Sequence, residues 1–282
     1  MRLERYAFRR FVDRVVRVSC VLSMGLALLP LCSVLYYVFS RGIAGLDLAF
    51  FTERPLPVGE PGGGMAPAIV GTLELVGLSC LFAIPPGVLA GVYLSEYGET
   101  RFGRIARFAA DVLSGVPSIT VGLFVYAVVV TTMKHFSAFA GGIALAVLML
   151  PTIARSTEEL LKLVPDALRE AALGLGVPHW RATLRVILRT AAPGIAVGVM
   201  LAVARAAGET APLLFTAFSN RFWSESLSEP TASLPVSIYT YAVSPYEDWH
   251  RQAWSAALVL LMMVLLLNVS ARFLVRNRVS GR

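Results

Sequence analysis

An all-α integral membrane protein with six spans is the fold class this sequence predicts, and three observations predict it. The chain of 282 residues is 56% hydrophobic and only 15% charged, with a mean hydropathy of +0.69. A soluble domain carries about 25% charged residues. Six apolar runs each approach the roughly 20 residues a helix needs to cross hydrocarbon. The basic residues fall unevenly among the connecting segments: in a six-span arrangement nineteen lie on one side, five on the other, and Arg205 within a span. That asymmetry marks the richer side as cytoplasmic. The formal charge of +7 is thus accounted for by topology and membrane lipid, with no nucleic-acid partner.

Residues 1–17 form a basic cytoplasmic segment carrying Arg2, Arg5, Arg9, Arg10, Arg14 and Arg17. The first span, 18–39, is longer than a signal-peptide core and lacks a small-residue cleavage site, so it is read as uncleaved. Spans follow at about 66–94, 108–131, 138–157, 194–218 and 253–275, with a polar loop over 158–193 and a cytoplasmic tail over 276–282. Six spans place both termini in the cytoplasm. In the first outer loop Gly62-Gly63-Gly64 is followed by Met65-Ala66-Pro67. A phosphate-cradling loop needs a lysine and a hydroxyl residue there, so the triplet reads as a flexible connector. Pro85-Pro86, Gly115-Val116-Pro117 and Pro151 interrupt backbone hydrogen bonding in or near three spans, either as packing kinks or as gating elements.

Cys20, Cys32 and Cys80 all fall in predicted spans, and His135, His179 and His250 are scattered. Neither set has the spacing of a disulfide framework or a metal site. No nucleophile motif stands beside a base and no ATP-binding signature appears. The chain is therefore expected to be no enzyme and to bind no metal or cofactor itself.

Along the fifth span Gly194, Gly198, Ala202 and Ala206 repeat at spacing four and offer a small-residue face to another helix. Arg205 and Glu209, also four apart, share a different face. Counting about 1.5 Å per residue from Pro193, Arg205 lies some 18 Å into the bilayer, near its midplane. An arginine there costs at least about 2.5 kcal/mol unless paired or hydrated, which makes it a functional candidate. The bland reading is that Arg205 and Glu209 neutralise each other. Glu74 and Asp111 are further candidate partners.

The loop over 158–193 has its own pattern. Pro165 and Asp166 suit the first turn of a helix, and Leu168, Ala171, Ala172 and Leu175 form one narrow apolar face. Gly174 and Gly176 are read as the positive-φ end of that helix, and Pro178 opens the next. There Trp180, Leu184 and Ile187 line one face while Arg181, Arg185 and Arg189 line another. A helix lying on anionic headgroups would account for the second arm alone. The whole pattern, Glu170-Ala171-Ala172, then Gly176, then Val186-Ile187-Leu188, resembles the "EAA" loop of ABC importer permeases, a helix-turn-helix that sits in a cleft of the ATPase. A proline usually stands where Arg189 does, so Pro193 is taken as the start of the next span.

A narrower resemblance follows from three separated motifs: Ser114-Gly115-Val116-Pro117-Ser118-Ile119 with Gly122-Leu123-Phe124, then Pro151-Thr152 with Arg155-Ser156-Thr157-Glu158-Glu159, then 204–214, ARAAGETAPLL. From about Gly62 onward the chain resembles the PstA-type permeases of high-affinity phosphate importers. The resemblance implies a six-span type I ABC importer permease with cytoplasmic EAA coupling helices, in a bacterial inner membrane. It further implies a PstC-type permease partner, a PstB-type ATPase dimer that uses ATP and magnesium, and a PstS-type phosphate-binding protein outside. By the same resemblance Arg155 and Arg205, with Glu209, belong to the phosphate path, and Glu170, Ala171, Ala172 and Gly176 to ATPase coupling. A permease for molybdate or sulfate shares the loop; a secondary transporter has no need of it.

Overall fold

The computed structural model describes residues 2–57, 60 and 62–280; Met1 of the basic segment and Gly281 and Arg282 of the tail lie outside them. Among these residues the secondary structure is helical throughout. Helix α1 (Arg2–Ile43) takes in the basic segment and the first span without interruption, about 63 Å at 1.5 Å per residue. Arginine is a good helix former, so the change from basic to apolar does not stop the helix. None of its most apolar stretch is covered by the rest of the chain. It is fastened at its far end, where Ser255 Oγ of α11 (Glu247–Ser280) donates to the Gly42 carbonyl at 2.8 Å.

Asp47 caps the short α2 (Leu48–Thr52), its carboxylate accepting from the Phe50 N–H at 2.7 Å. This helix seats the glycine triplet. Gly62 and Gly63 have φ of +96° and +77°, and a Cβ on Gly64 would meet the Ala49 carbonyl oxygen at 2.1 Å. Gln252 also donates to the Gly62 carbonyl at 2.7 Å. The triplet is a pinned turn, required by close approach and positive φ, and not the flexible connector its composition predicts.

Helices α3 (Ala66–Tyr97) and α6 (Ala138–Lys162) run parallel and share the most extensive contact in the molecule. Gly141 and Gly142 receive Leu75 and Leu78 of α3, while Gly87 and Gly91 receive Ile153 and Thr157 of α6. Pro85, Pro86 and Pro151 lie inside these helices and do not end them. The chain returns between them through α4 (Arg101–Gly115) and α5 (Ser118–Met133), bent from each other by 106°. Val116 at the corner is extended, as the residue before a proline must be. The run predicted as one span over 108–131 is therefore a helix lying across the bundle followed by a shorter rise. With that pair counted as one, six spans result.

After α7 (Asp166–Gly174) comes α8 (His179–Ala207), about 43 Å of continuous helix. Pro193 is inside it, so the second arm of the loop and the fifth span are one element; the start expected at Pro193 does not occur. A π turn over Thr183–Ile187 adds a residue to the helical register. Ile187 is buried as a result, while Trp180 and Leu184 stay exposed. Gly194 and Gly198 lie against Leu160 and Ser156 of α6, and Ala202 and Ala206 join the core around Leu145, Met149 and Ile153. Beyond Ala207 the helix stops. The chain resumes as α9 (Ala211–Leu214), with Leu213 and Ala217 on Gly141. Then α10 (Leu234–Ala242) returns to α3, where Thr72 Oγ1 accepts from the Leu234 N–H at 2.8 Å.

Candidate functional site

Three places hold the residues that the sequence nominates: a broken span, an ion network at the loop end of α6, and the coupling hairpin.

The fifth span is broken at Gly208-Glu209-Thr210. Gly194 and Gly198 pair with Leu160 and Ser156 on one side of the break, and Leu213 and Ala217 pair with Gly141 on the other. This antiparallel register sets the break beside the middle of α6. Arg205 occupies the last turn of α8, and its side chain is 59% exposed. Its Nε lies 3.7 Å from Glu209 Oε1, whose side chain is 17% exposed. Glu209 is not on the helix, as spacing four predicts, but in the break, its N–H donating to the Ala206 carbonyl at 3.2 Å. Pro212 in the first turn of α9 is the overlooked sign, since proline there opens a helix and Gly208 closes one.

Arg155 stands in a different setting. It faces Asp111 of α4, Nε to Oδ1 at 3.0 Å, and Glu158 on its own helix, Nη1 to Oε2 at 3.3 Å. Glu158 is the hub: 1% exposed, it also receives Arg107 at 2.6 Å and Lys162 at 2.7 Å. A carboxylate so buried is tolerated because three cations converge on it. The network holds α4 across the end of α6. Asp111, a candidate partner for Arg205 by sequence, belongs to Arg155. Glu158 was quoted only as part of a motif, and nothing in its spacing reveals Arg107 fifty-one positions away.

In the hairpin, α7 ends as its glycines predict, with one difference. Gly176 alone has positive φ, +78°, and Gly174 is still helical. The Gly176 N–H donates to the Leu173 carbonyl at 2.9 Å and the Val177 N–H to the Ala172 carbonyl at 3.1 Å. These are the two bonds of a Schellman cap. Glu170 and Ala171 are exposed, as are Leu168 and Leu175. Ala172 is buried in the hairpin itself, where it leaves room for the second arm to close. The outward apolar face is thus Leu168, Ala171 and Leu175.

Comparison with known proteins bears on the family and the fold. The family described as binding-protein-dependent transport system inner membrane component matches residues 83–279. The phosphate transport system permease protein PstA of Yersinia pestis is 46% identical over 272 residues, 96% of this chain and 92% of that protein. Its counterpart in Haemophilus influenzae is 43% identical over 275 residues, 97% of each. Among solved structures, an inward-facing MetNI methionine ABC transporter has a chain that matches with a TM-score of 0.62 and 19% identity, over 76% of this chain and 96% of that one. That likeness carries the fold alone. The chain belongs to the binding-protein-dependent transport system inner membrane components, among the permeases of the PstA type.

Proposed function

We propose that this chain is the permease subunit of an ATP-driven importer of inorganic phosphate, that Arg205 meets the anion in transit, and that the outward face of α7 docks the ATPase. The relatives at 43 to 46% identity are phosphate permeases over nearly their whole length. The observation that carries the site is Arg205: a side chain more than half exposed at a helix break in mid-bundle, with the Glu209 carboxylate at 3.7 Å. A guanidinium presents several fixed donors to phosphate oxygens and stays charged. Two features oppose it. The C-terminal end of α8 is negative, and Glu209 adds a full negative charge. Together they keep the anion well shallow, which a transit site needs because tight binding slows release.

Arg155 is assigned to the same path nearer the hairpin, a third exposed beside Asp111. The path is completed by a PstC-type permease. A PstB-type ATPase pair, which binds the ATP and magnesium, docks on Glu170, Ala171 and Gly176, with Ala172 shaping the hairpin from within. A PstS-type protein delivers phosphate from outside. The chain has no catalytic role of its own in this scheme, and the charge asymmetry supports cytoplasmic termini and a cytoplasmic hairpin. Closure of the ATPases moves the hairpins, and alternating access follows.

Ala171→Asp tests the docking claim. It sets a carboxylate on the outward face, where burial in a contact without a partner costs several kcal/mol, about 3 or more. ATPase copurification and phosphate uptake are expected to be lost while membrane insertion is unchanged. Normal copurification would overturn the docking face.

A further inference from the structure

The hairpin is attached to the bundle in two different ways. Its second arm is the start of α8 and continues without a break to Arg205. Its first arm, α7, is joined to α6 through residues 163–165, packs mainly on that second arm, and reaches α3 through a side-chain clasp. Glu96, in the last turn of α3, accepts a hydrogen bond from Arg169 of α7. The same carboxylate oxygen lies 3.4 Å from His179 Nε2, at the start of α8. One carboxylate therefore touches both arms of the hairpin. It is 5% exposed, and its other oxygen is buried without a partner. A polar group so buried is costly unless it is paired, and Arg169 supplies the pairing.

We propose that Glu96 is a positioning residue for transport: it ties α3 to the coupling hairpin, so that a displacement of the hairpin is passed to α3. α6 receives the same displacement through the chain, and α3 is packed on it through Gly87 and Gly91. The proposal rests on the reading of α7 as the ATPase dock. Without the clasp, α8 and α6 still follow the hairpin through the chain, while α3 loses its own link to it. ATP hydrolysis then proceeds with little phosphate moved.

The test uses the assembled permease and ATPase complex in proteoliposomes with the phosphate-binding protein, and reads phosphate transported per ATP hydrolysed. Glu96→Gln keeps the shape and removes the charge. The expected result is normal ATPase copurification and a ratio about tenfold lower, within the range of couplings between sites. The reversed pair Glu96→Arg with Arg169→Glu is expected to recover most of it. A merely structural contact predicts otherwise: uptake and hydrolysis fall together with protein amount and the ratio stays unchanged, which would overturn the proposal. Should Glu96→Gln fail to accumulate, Arg169→Gln opens the clasp from its more exposed side and is read in the same way. Ala171→Asp separates the two claims. If copurification survives it, the docking reading falls; if copurification is lost there while Glu96→Gln leaves the ratio intact, the clasp alone falls.

Discussion

At the hairpin end of α6, Arg155 has two carboxylates within 3.3 Å; at the break in the fifth span, Arg205 has one at 3.7 Å. Both are arginines on spanning helices, and both are assigned to the same anion path. Their surroundings differ in what they leave available. Around Glu158 the donors of Arg107, Arg155 and Lys162 are directed at one buried acceptor, so the charges there hold α4 to α6. Around Arg205 more than half of the side chain is open, which suits the role proposed for it. Substitutions at the Glu158 hub are therefore expected to act mainly on the amount of folded protein, at Arg205 on transport, and at Arg155, which belongs to both arrangements, on both.

The largest effect is expected at the hub. Glu158→Ala leaves three cations facing each other across a buried gap, and removing one member of a buried ion pair costs about 3–5 kcal/mol. Since the three cations reach solvent in part, the lower end of that range applies. Thermal unfolding in detergent should show a sharply lowered midpoint, with α4 more open to proteolysis. An unchanged midpoint would mean that the network does not hold the fold.

Next comes the packing that frames the break. A Cβ on Gly198 would lie 2.5 Å from Ser156 Oγ and 2.8 Å from its Cβ, so Gly198→Val forces α8 off α6. Overpacking of this kind costs about 1–3 kcal/mol. Abundance and uptake should fall in parallel; a fall in uptake alone would place Gly198 in the path and blur the contrast drawn above.

The smallest stability effect is expected at Arg155. Its pair with Asp111 is partly exposed on both sides, worth about 0.2–1 kcal/mol, and Glu158 keeps Arg107 and Lys162 when Arg155 is lost. Arg155→Gln should lower the unfolding midpoint slightly and reduce uptake more, a mixed result that lies between the two sites. Loss of stability with uptake per molecule unchanged would remove Arg155 from the path altogether.

How much of this was legible in the sequence follows from where each signal is carried. Apolar runs and arginine placement carry the spans, and these are local. The glycine at 176 carries the cap of α7, because one residue's positive φ decides it. The two interruptions were harder. Gly115-Val116-Pro117 was visible as punctuation, yet a 106° corner and a kink look alike in sequence. The break after Ala207 was hidden because the run over 194–218 stays apolar and the eye counts it as one helix; Gly208 and Pro212 together mark it. Pro193 misled in the opposite direction, since neighbouring helices keep α8 continuous through it. The clasp of Glu96 and the Arg107 arm of the Glu158 hub could not be read at all. Their partners lie 73 and 51 positions away, and only the packing of α3, α4 and α6 brings them together.

The most direct measurement takes Arg205→Gln, Glu209→Gln and the double variant, and compares labelled phosphate uptake per molecule of assembled complex. With Arg205 on the anion path, Arg205→Gln abolishes uptake while insertion and assembly persist, Glu209→Gln retains uptake, and the double variant stays inactive because no cation remains at the break. Near-normal uptake in the double variant would contradict this: it would mean that Arg205 serves only to neutralise Glu209, and that phosphate crosses without it.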